Sequence, residues 1–245
     1  MDAITIAAAS GLRSRMQSLD LLANNLANAA TSGFKRDQEF YGLYASAEAL
    51  DSASGLSSML PVIERQWTDF SQGVLQVTGN PLDVALSGNG FFVVNGPGGP
   101  LYTRNGNLQV LPSGELAIAD GYALRGRGGQ TIKVAAGKPI SISGDGTVNQ
   151  DGVAAGQLET VSFRATDSLQ KMGGTCFKNA DPNNAPGAAS ADVQQGKIEA
   201  SNVPVAEAAM RLVGVMRQFE MLQKAIGVSS EMDTRTIQEV ARVGS

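Results

Sequence analysis

The chain carries a helical apolar pattern at each end and a strand-like pattern between them. Its first segment, from about Ile4 to Ala30, places apolar side chains three or four residues apart, which draws a stripe along one helix face. This stripe consists of Leu12, Met16, Leu19, Leu22 and Leu26. A chain with such a pattern at both ends is expected to pair its own termini.

The last segment repeats the apolar pattern as a heptad. One seam position is occupied by Val205, Leu212, Phe219 and Ile226, and the complementary position by Ala208, Val215 and Leu222. About three heptads of this kind predict a coiled-coil-like helix. Ser201-Asn202 is expected to cap this helix, and Pro204 is tolerated in its first turn.

Polar residues predict where the first helix ends. Asn24, Asn25 and Asn28 are weak helix formers, and Thr31-Ser32-Gly33 is a stop signal. Because glycine adopts the left-handed conformation that ends many helices, we expect Gly33 to end this one and Phe34 to fold back and pack.

Between the two ends the apolar period falls to two residues. Residues 74–77, 82–86 and 91–94 are predicted strands. Asn105-Gly106 lies in the middle of residues 102–110 and predicts a β-hairpin, since both residues tolerate positive φ. Turn signals recur every ten or so residues, so we expect an antiparallel all-β domain.

The predicted fold class is α+β, with the N- and C-terminal helices paired as a coiled-coil-like domain beside a central antiparallel β domain. The predicted parts are an N-terminal helix in residues 1–34, a connector in 35–61, the β domain in 62–195 and a C-terminal helix in 196–245. The β domain is expected to fold alone, whereas the helices are expected to need neighbouring subunits to cover their stripes.

Composition excludes several classes of function. The 245 residues include no His, which removes the commonest general base, and a single Cys, Cys176, which is interpreted as a small buried residue. A net charge of −4 argues against nucleic acid as a partner. No apolar run is long enough for a membrane span, and the start of the chain lacks the pattern of a cleavable secretory signal.

The candidate sites for chemistry are weak. Residues 147–152 begin like a calcium loop, but the first ligand would be Thr147 and the twelfth position is Leu158, so a polar turn is favoured. Gly88-Asn89-Gly90 precedes a strand and not a helix, which argues against a phosphate loop. The short basic loop at residues 125–129 is too small for nucleic acid.

Paired carboxylates are the remaining catalytic possibility. Asp83, Glu115 and Asp120 could converge, but nothing in their spacing requires it. We therefore predict no catalytic, cofactor-binding or metal-binding residue and no enzymatic activity.

The terminal stripes have two open interpretations. The helices could pack on the chain's own β domain, or they could pair across subunits. Small residues at 7–9, 206 and 208–209 allow close helix approach, and the heptad is narrower than an ordinary amphipathic face, which favours pairing across subunits.

Four motifs, in order along the chain, resemble the axial rod and hook proteins of the bacterial flagellum. They are Leu22 to Lys35 (LANNLANAATSGFK), Gln72 to Leu86 followed by Gly88-x-Gly90-Phe91-Phe92, Tyr102 to Gly106, and Gly196 to Val203 (GKIEASNV). Motif residues matched on this basis are Asn24, Asn25, Asn28, Gly33, Phe34, Asp83, Gly90, Phe91, Ser201 and Asn202. The length resembles that of a rod protein, and Met1-Asp2 together with residues 80–86 favours a proximal-rod type, with a distal-rod type as the near alternative.

The resemblance implies a structural subunit of a helical tube. It implies an inner wall of paired terminal helices, with the seam residues named above at subunit interfaces, and an outer wall of β domains. It also implies export by the flagellar type III apparatus, partnership with other rod proteins, no cofactor, and a place in the periplasmic drive shaft. The alternative is a secreted β-rich adhesin or effector that its terminal helices oligomerise.

Overall fold

The computed structural model describes residues 3–45 and 59–243, which form two long helices and a series of short strands. The elements are α1 (Ala3–Ala27), β1 (Asp37–Ala45), β2 (Met59–Thr68), β3 (Leu75–Val77), β4 (Val84–Ser87), β5 (Phe91–Gly96), β6 (Gly99–Thr103), β7 (Leu108–Val110), β8 (Leu116–Ile118), β9 (Ile140–Ile142), β10 (Thr147–Gln150), β11 (Val153–Gln157), β12 (Thr160–Ser162), β13 (Leu169–Lys171), β14 (Cys176–Asn179), β15 (Gly187–Ala188), β16 (Asp192–Gln195), β17 (Lys197–Glu199) and α2 (Val205–Val243). The predicted α+β class, with terminal helices around an antiparallel β region, is confirmed.

The chain divides into two compact units. The helical unit comprises Met1–Ala27, Asp37–Trp67 and Pro204–Ser245, and it contains α1, β1, β2 and α2. The β unit comprises Asn28–Arg36 and Thr68–Val203 and contains β3 to β17. Neither helix in the described part of the chain has an apolar stretch that could cross a membrane.

Several element boundaries differ from the sequence prediction. The C-terminal helix begins at Val205 and not near residue 196, because residues 197–199 instead pair with β3 as a strand. The region predicted as connector contributes the pair β1 and β2, while its residues 46–58 lie outside the described residues. Residues 28–36, predicted to end the N-terminal helix, fold with the β unit.

The largest sheet of the β unit has six strands in the order β13-β14-β6-β5-β12-β15, and every neighbouring pair in it is antiparallel. Its central strand β5 is buried on both faces: Phe92 and Val94 point into the main core, and Phe91 and Val93 into a second core. Burial on both faces explains why residues 91–94 form an uninterrupted apolar run.

The two cores differ in chemistry. The main core is mostly aliphatic, with Phe92 as its buried aromatic ring, and it includes Cys176 and the β16 residue Val193. The second core is aromatic, and Phe70 packs edge-on against both Phe91 and Phe177, with ring centroids 5.5 and 4.9 Å apart. Edge-to-face contacts of this kind favour one fixed arrangement of the rings.

The hairpin predicted at Asn105-Gly106 is not formed. Strand β6 before it pairs with β5 and β14, whereas β7 after it pairs with β8. The Gly106 oxygen accepts a hydrogen bond from the Val84 amide, and a Cβ at Gly106 would lie 1.7 Å from the Val84 oxygen. The glycine of this dipeptide therefore allows the backbone at residue 106 to approach the backbone of Val84 closely, and it does not form a hairpin turn.

Of residues 147–152, Thr147–Gln150 form β10, and only Asp151 and Gly152 form the turn that the sequence favours. Strands β10 and β11 are antiparallel and joined by Asp151-Gly152, which have φ of 51° and 80°. Positive φ at both central residues is the geometry of a tight two-residue hairpin. Within the described residues no group of three or more His, Cys, Asp or Glu side chains is placed to hold a metal ion.

Candidate functional site

The β unit holds together the places where the chain passes to and from the helical unit. The Arg36 oxygen accepts a hydrogen bond from the Asp69 amide at 2.9 Å, and the Arg36 amide donates to Asn202 Oδ1 at 2.8 Å. Asn202 Nδ2 donates to the Asp69 oxygen at 2.8 Å. Arg36, Asp69 and Asn202 lie beside three of the points where the chain passes between the units, and these three points are thus hydrogen-bonded to one another. We call residues 33–36, 69–73, 104–105 and 199–202 the neck.

A buried carboxylate lies at the centre of the neck. Glu199 is fully buried, and its Oε1 accepts hydrogen bonds from Lys35 Nζ and, at 2.9 Å, from the Gly73 amide. Its Oε2 accepts from Arg104 Nη1 at 3.2 Å. A buried charge is tolerated only when it is paired and hydrogen-bonded, and both oxygens of Glu199 meet that condition.

The same residue also binds through its backbone. The Gly33 amide donates to the Glu199 oxygen at 2.7 Å, and the Ala200 amide donates to the Val74 oxygen at 2.9 Å, which extends the pairing of β17 with β3. Glu199 therefore joins residues 33–35, the residues just before β3 and the residue that follows β6. These segments are up to 164 residues apart in sequence.

Two glycines allow the neck to close. Gly33 has φ of 70°, and a Cβ there would lie 2.3 Å from the Asn105 amide nitrogen. A Cβ at Gly73 would lie 1.9 Å from the Ala200 oxygen. The left-handed conformation predicted for Gly33 is present, but α1 already ends at Ala27, so this glycine does not end the helix.

Two cations share the single carboxylate. Burial lowers the pKa of the Lys35 amine, and the nearby Arg104 guanidinium lowers it further, whereas Glu199 opposes both effects. Burial also lowers the pKa of Arg104, again opposed by Glu199. Backbone oxygens support both cations, since Lys35 Nζ donates to the Ser71 oxygen at 2.6 Å and Arg104 Nη2 to the Gly88 oxygen at 2.7 Å.

A half-exposed ion pair borders the buried cluster. Arg36 Nη2 lies 3.0 Å from Asp69 Oδ2, and the Ser71 amide donates to Asp69 Oδ1. Burial would raise the pKa of the Asp69 carboxyl, but the hydrogen bonds from Ser71 and Arg36 lower it overall. The Lys171 amine lies 4.2 Å from the centre of the Phe34 ring, and Phe34 is buried as predicted.

The structure spreads the motif residues over several local roles. Asn25 donates to the Asp37 oxygen and accepts from the Asp37 amide, at 2.8 and 2.9 Å, which fixes the start of β1. Asn28 accepts a hydrogen bond from the Thr31 hydroxyl, and Asn24 is exposed on α1. Gly33, Phe34 and Asn202 belong to the neck.

The remaining motif residues support the β unit. Asp83 is buried and accepts hydrogen bonds from Asn80 Nδ2 and Asn107 Nδ2. Gly90 is buried directly before β5, whose first residue Phe91 packs in the aromatic core. Neither Ser201 nor Asn202 caps α2. The Ser201 hydroxyl accepts from the Val203 amide, and Asn202 is used in the neck.

The possible catalytic residues do not form a site. Asp83 has the partners just described, Glu115 accepts from the Thr131 and Ser113 hydroxyls, and Asp120 lies near the Thr175 hydroxyl. Cys176 is 1% exposed, and burial raises the pKa of its thiol to about 11. A thiol that stays protonated at neutral pH is a poor nucleophile.

The predicted seam residues are unevenly covered. On α1, Leu22 is buried, Leu12, Leu19 and Leu26 are half-buried, and Met16 is exposed. On α2, Leu212, Val215, Phe219, Leu222 and Ile226 are half-buried, Ala208 is buried, and Val205 is exposed. The two helices contact each other, with Gly11 of α1 facing the Leu222 side chain of α2.

The most buried line of α1 consists of small or polar residues that sequence reasoning did not select. Apart from Leu22, its members are Gly11, Ser14, Ser18 and Asn25. The Ser18 hydroxyl donates to the Ser14 oxygen at 3.1 Å. Small side chains permit close approach of helices, so the leucine stripe lies beside this line and stays half-exposed. The three-to-four spacing of the small residues is the signal that could have identified it.

The outer face of α2 exposes a row of large apolar side chains. Met210, Met221 and Met232 are 70%, 62% and 64% exposed, and Val213 and Val228 are also exposed. This row lies opposite the half-buried heptad seam on the helix. At 1.5 Å per residue, the row from Met210 to Met232 runs for roughly 33 Å. We call these five residues the outer row.

The sequence patterns did not identify the neck as a site, although its three clustered charged residues lie within the four flagellar motifs. Lys35 ends the first motif, Arg104 lies in the third, and Glu199 lies in the fourth. Each is one of the few charged residues in its motif. Opposite charges in motifs far apart in sequence are the signal that could have paired them.

Comparison with known proteins gives a consistent result along the chain. Three family models match: a flagella basal body rod protein model at residues 7–35, the D1 domain of the flagellar hook protein FlgE/F/G at 85–150, and the C-terminal region of the flagellar basal body rod FlgEFG protein at 194–239. Neck residues 104–105 and 199–202 lie inside the second and third matched regions. Residues 33–36 overlap the end of the first region, and residues 69–73 lie between the first and the second.

Whole-length relatives agree with the family models. The flagellar basal-body rod protein FlgF of Salmonella typhimurium is 34% identical over 88% of this chain and 89% of its own length. FlgG of Bacillus subtilis is 31% identical over 91% and 93%, and FlgF of Caulobacter vibrioides is 29% identical over 92% of both chains. The chain therefore belongs to the family of flagellar basal-body rod proteins, whose members are structural subunits and not enzymes.

Proposed function

We propose that the chain polymerises through α1 and α2 into the flagellar rod, as part of the drive shaft that transmits torque across the periplasm. The helical core of this polymer comprises α1 and α2 and not the full stretches 1–34 and 196–245. Its partners are other axial subunits. The chain reaches the rod through the flagellar type III export apparatus.

The outer row is the observation that supports this proposal most strongly. Soluble monomers seldom expose several large apolar side chains along one helix face. The outer row recurs on one face of α2 over about six helical turns, with the exposed Arg217 and Lys224 between its members, while the half-buried seam residues leave apolar area on the flanks of the helix pair. An extended helix face of this kind fits another helix better than a small ligand.

The test of assembly uses a charge on the outer row. Met221→Glu replaces an exposed side chain, so the monomer should unfold at the same urea concentration as the wild type. In the polymer the same charge would be buried, at a cost of about 3 kcal/mol or more per contact. We expect non-swimming cells whose basal bodies lack a complete rod.

The matched control is Gln223→Glu, which adds the same charge to an exposed polar position of α2. These cells should swim normally. Full rods and normal swimming in the Met221→Glu strain would contradict assembly through this face. Leu212→Asp, in the half-buried seam, should abolish rod completion as well.

Export has its own measurement. The protein should be missing from the cell envelope outside the inner membrane, as read by immunoblot, in cells whose type III export gate is inactive. Its presence there at wild-type levels would contradict type III export and leave the assembly proposal standing.

A further inference from the structure

The neck contains an imbalance of charge that the rod function does not explain. Glu199 and Lys35 are fully buried, and the Arg104 side chain is 4% exposed, so two cations and one carboxylate lie away from water. The Nε of Arg104 is buried without a hydrogen-bond partner. Such a cluster depends on its single anion more than on either cation.

The anion arrives from a different part of the chain than the cations. Lys35 belongs to the segment that follows α1, Arg104 follows β6, and Glu199 ends β17, the last strand before α2. The segment 28–36 also depends on this last strand through its backbone, because the Gly33 amide donates to the Glu199 oxygen. Without β17 in place, Lys35 and Arg104 would lie buried beside each other without their counter-ion.

We propose that the Lys35–Glu199–Arg104 cluster is a latch that makes docking of residues 28–36 conditional on docking of β17. The segment that leads to α1 is then ordered only when the segment that leads to α2 is docked. A chain whose C-terminal part is not in place cannot hold its N-terminal attachment, so the N-terminal attachment forms only once β17 is present. This coupling is independent of the proposed function, because it concerns the fold of a single chain.

The latch predicts an asymmetry between its members. Glu199→Gln keeps the size of the side chain but leaves two buried cations without a hydrogen-bonded carboxylate. Lys35→Met removes one cation and leaves Arg104 and Glu199 as a neutral pair. The change at Glu199 should therefore be far more damaging than the change at Lys35, and adding Lys35→Met to Glu199→Gln should restore part of the loss.

Amide hydrogen exchange of the full chain, read by mass spectrometry, tests the coupling. In Glu199→Gln, peptides covering residues 28–36, 69–75 and 196–203 should all exchange at least tenfold faster than in the wild type. In Lys35→Met the increase should stay below threefold. In the double variant, exchange in all three segments should slow by at least threefold relative to Glu199→Gln.

Asp151→Asn is the matched control. It also removes the anion of a lysine–carboxylate pair, but Lys138 and Asp151 are both about half exposed. Its exchange should match the wild type within twofold everywhere. If Glu199→Gln does not fold, the double variant still tests the latch, because the proposal requires it to fold.

Two outcomes would overturn the latch. One is faster exchange in residues 196–203 alone, with residues 28–36 still protected, which would mean that the segments dock independently. The other is an effect of Lys35→Met equal to that of Glu199→Gln with no recovery in the double variant. Swimming is not part of this test, so its result stays distinct from that of rod assembly.

Discussion

The β unit and the helical unit treat their side chains in opposite ways. The β unit encloses two apolar cores and pairs its most deeply buried carboxylate with two cations. The helical unit places Gly11, Ser14 and Ser18 on its most buried line, leaves the Ser14 hydroxyl buried without a hydrogen-bond partner, and exposes methionines. Most large apolar side chains of the β unit are thus enclosed in its two cores, whereas α2 of the helical unit leaves a row of them exposed.

The largest expected contrast is between one phenylalanine in each unit. Phe92→Ala removes a fully buried ring from the main core and should reduce the free energy of unfolding by about 3–5 kcal/mol. Phe219→Ala removes a half-buried ring on α2 and should cost less than half as much, while it weakens rod assembly. Urea unfolding of both variants measures this contrast. Equal losses would mean that the helices bury their apolar side chains as fully as the β unit does.

A pair of glycines tests how tightly the neck is closed. Gly33 and Gly79 have nearly equal φ, 70° and 72°, but only Gly33 lies against backbone atoms where a Cβ would be. Gly33→Ala should therefore cost about 3 kcal/mol from strain and displacement, and Gly79→Ala about 1 kcal/mol from φ alone. Thermal unfolding of the two variants compares them, and similar losses would show that the neck yields easily.

The pH dependence of the free energy of unfolding should report the burial of the Cys176 thiol in the main core of the β unit. The pKa of the Cys176 thiol is raised from an ordinary 9.0 to about 11 in the folded chain, because burial disfavours the thiolate. Below pH 9 both the folded and the unfolded state keep the proton. As the pH rises from 9 to 11 only the unfolded state loses it, so stability should fall by up to about 2.7 kcal/mol.

Cys176→Ala is the control for that dependence. The buried Tyr102 hydroxyl also has a raised pKa and contributes in the same direction above pH 10, so the slope must be compared between the two proteins. The slope between pH 9 and 10 should be shallower in Cys176→Ala. Identical slopes would indicate that the thiol is open to water in the folded chain.

The smallest expected effect is on the outer row. Met210→Gln and Met232→Gln should change the free energy of unfolding of the monomer by no more than about 0.5 kcal/mol, since both side chains are exposed. The same urea titrations provide the measurement. A loss above about 1.5 kcal/mol, well beyond the usual range for surface changes, would mean that the monomer itself covers this face. The contrast between the two units would then disappear.

Local sequence patterns predicted the helices and strands themselves better than they predicted which segments pair with one another. Residues 91–94 and the heptad from Val205 indicated a strand and a long helix, because both signals arise from neighbouring residues. Asn105-Gly106 misled because the same dipeptide suits a hairpin and a close backbone approach. Residues 197–203 were interpreted as helix because the pairing of 197–199 with β3 depends on residues more than 100 positions away.

The neck was even harder to predict from local sequence patterns, because it is formed by residues far apart in the chain. The motifs that contain Lys35, Arg104 and Glu199 were visible, but only the folded backbone brings the three charges together. The leucines of α1 were selected because apolar residues mark a buried face in most helices. Here the closest approach is made by glycine and serine, which a hydrophobic pattern does not register.

The enclosed thiol of Cys176 gives the chain a built-in reporter. It is the only cysteine in the 245 residues, and it lies in the main core of the β unit. A thiol-reactive dye added to the native protein will therefore label the chain only as fast as that core opens. A second cysteine introduced at an exposed position of α2 would react at once, so a single labelling time course could follow both units of the same molecule.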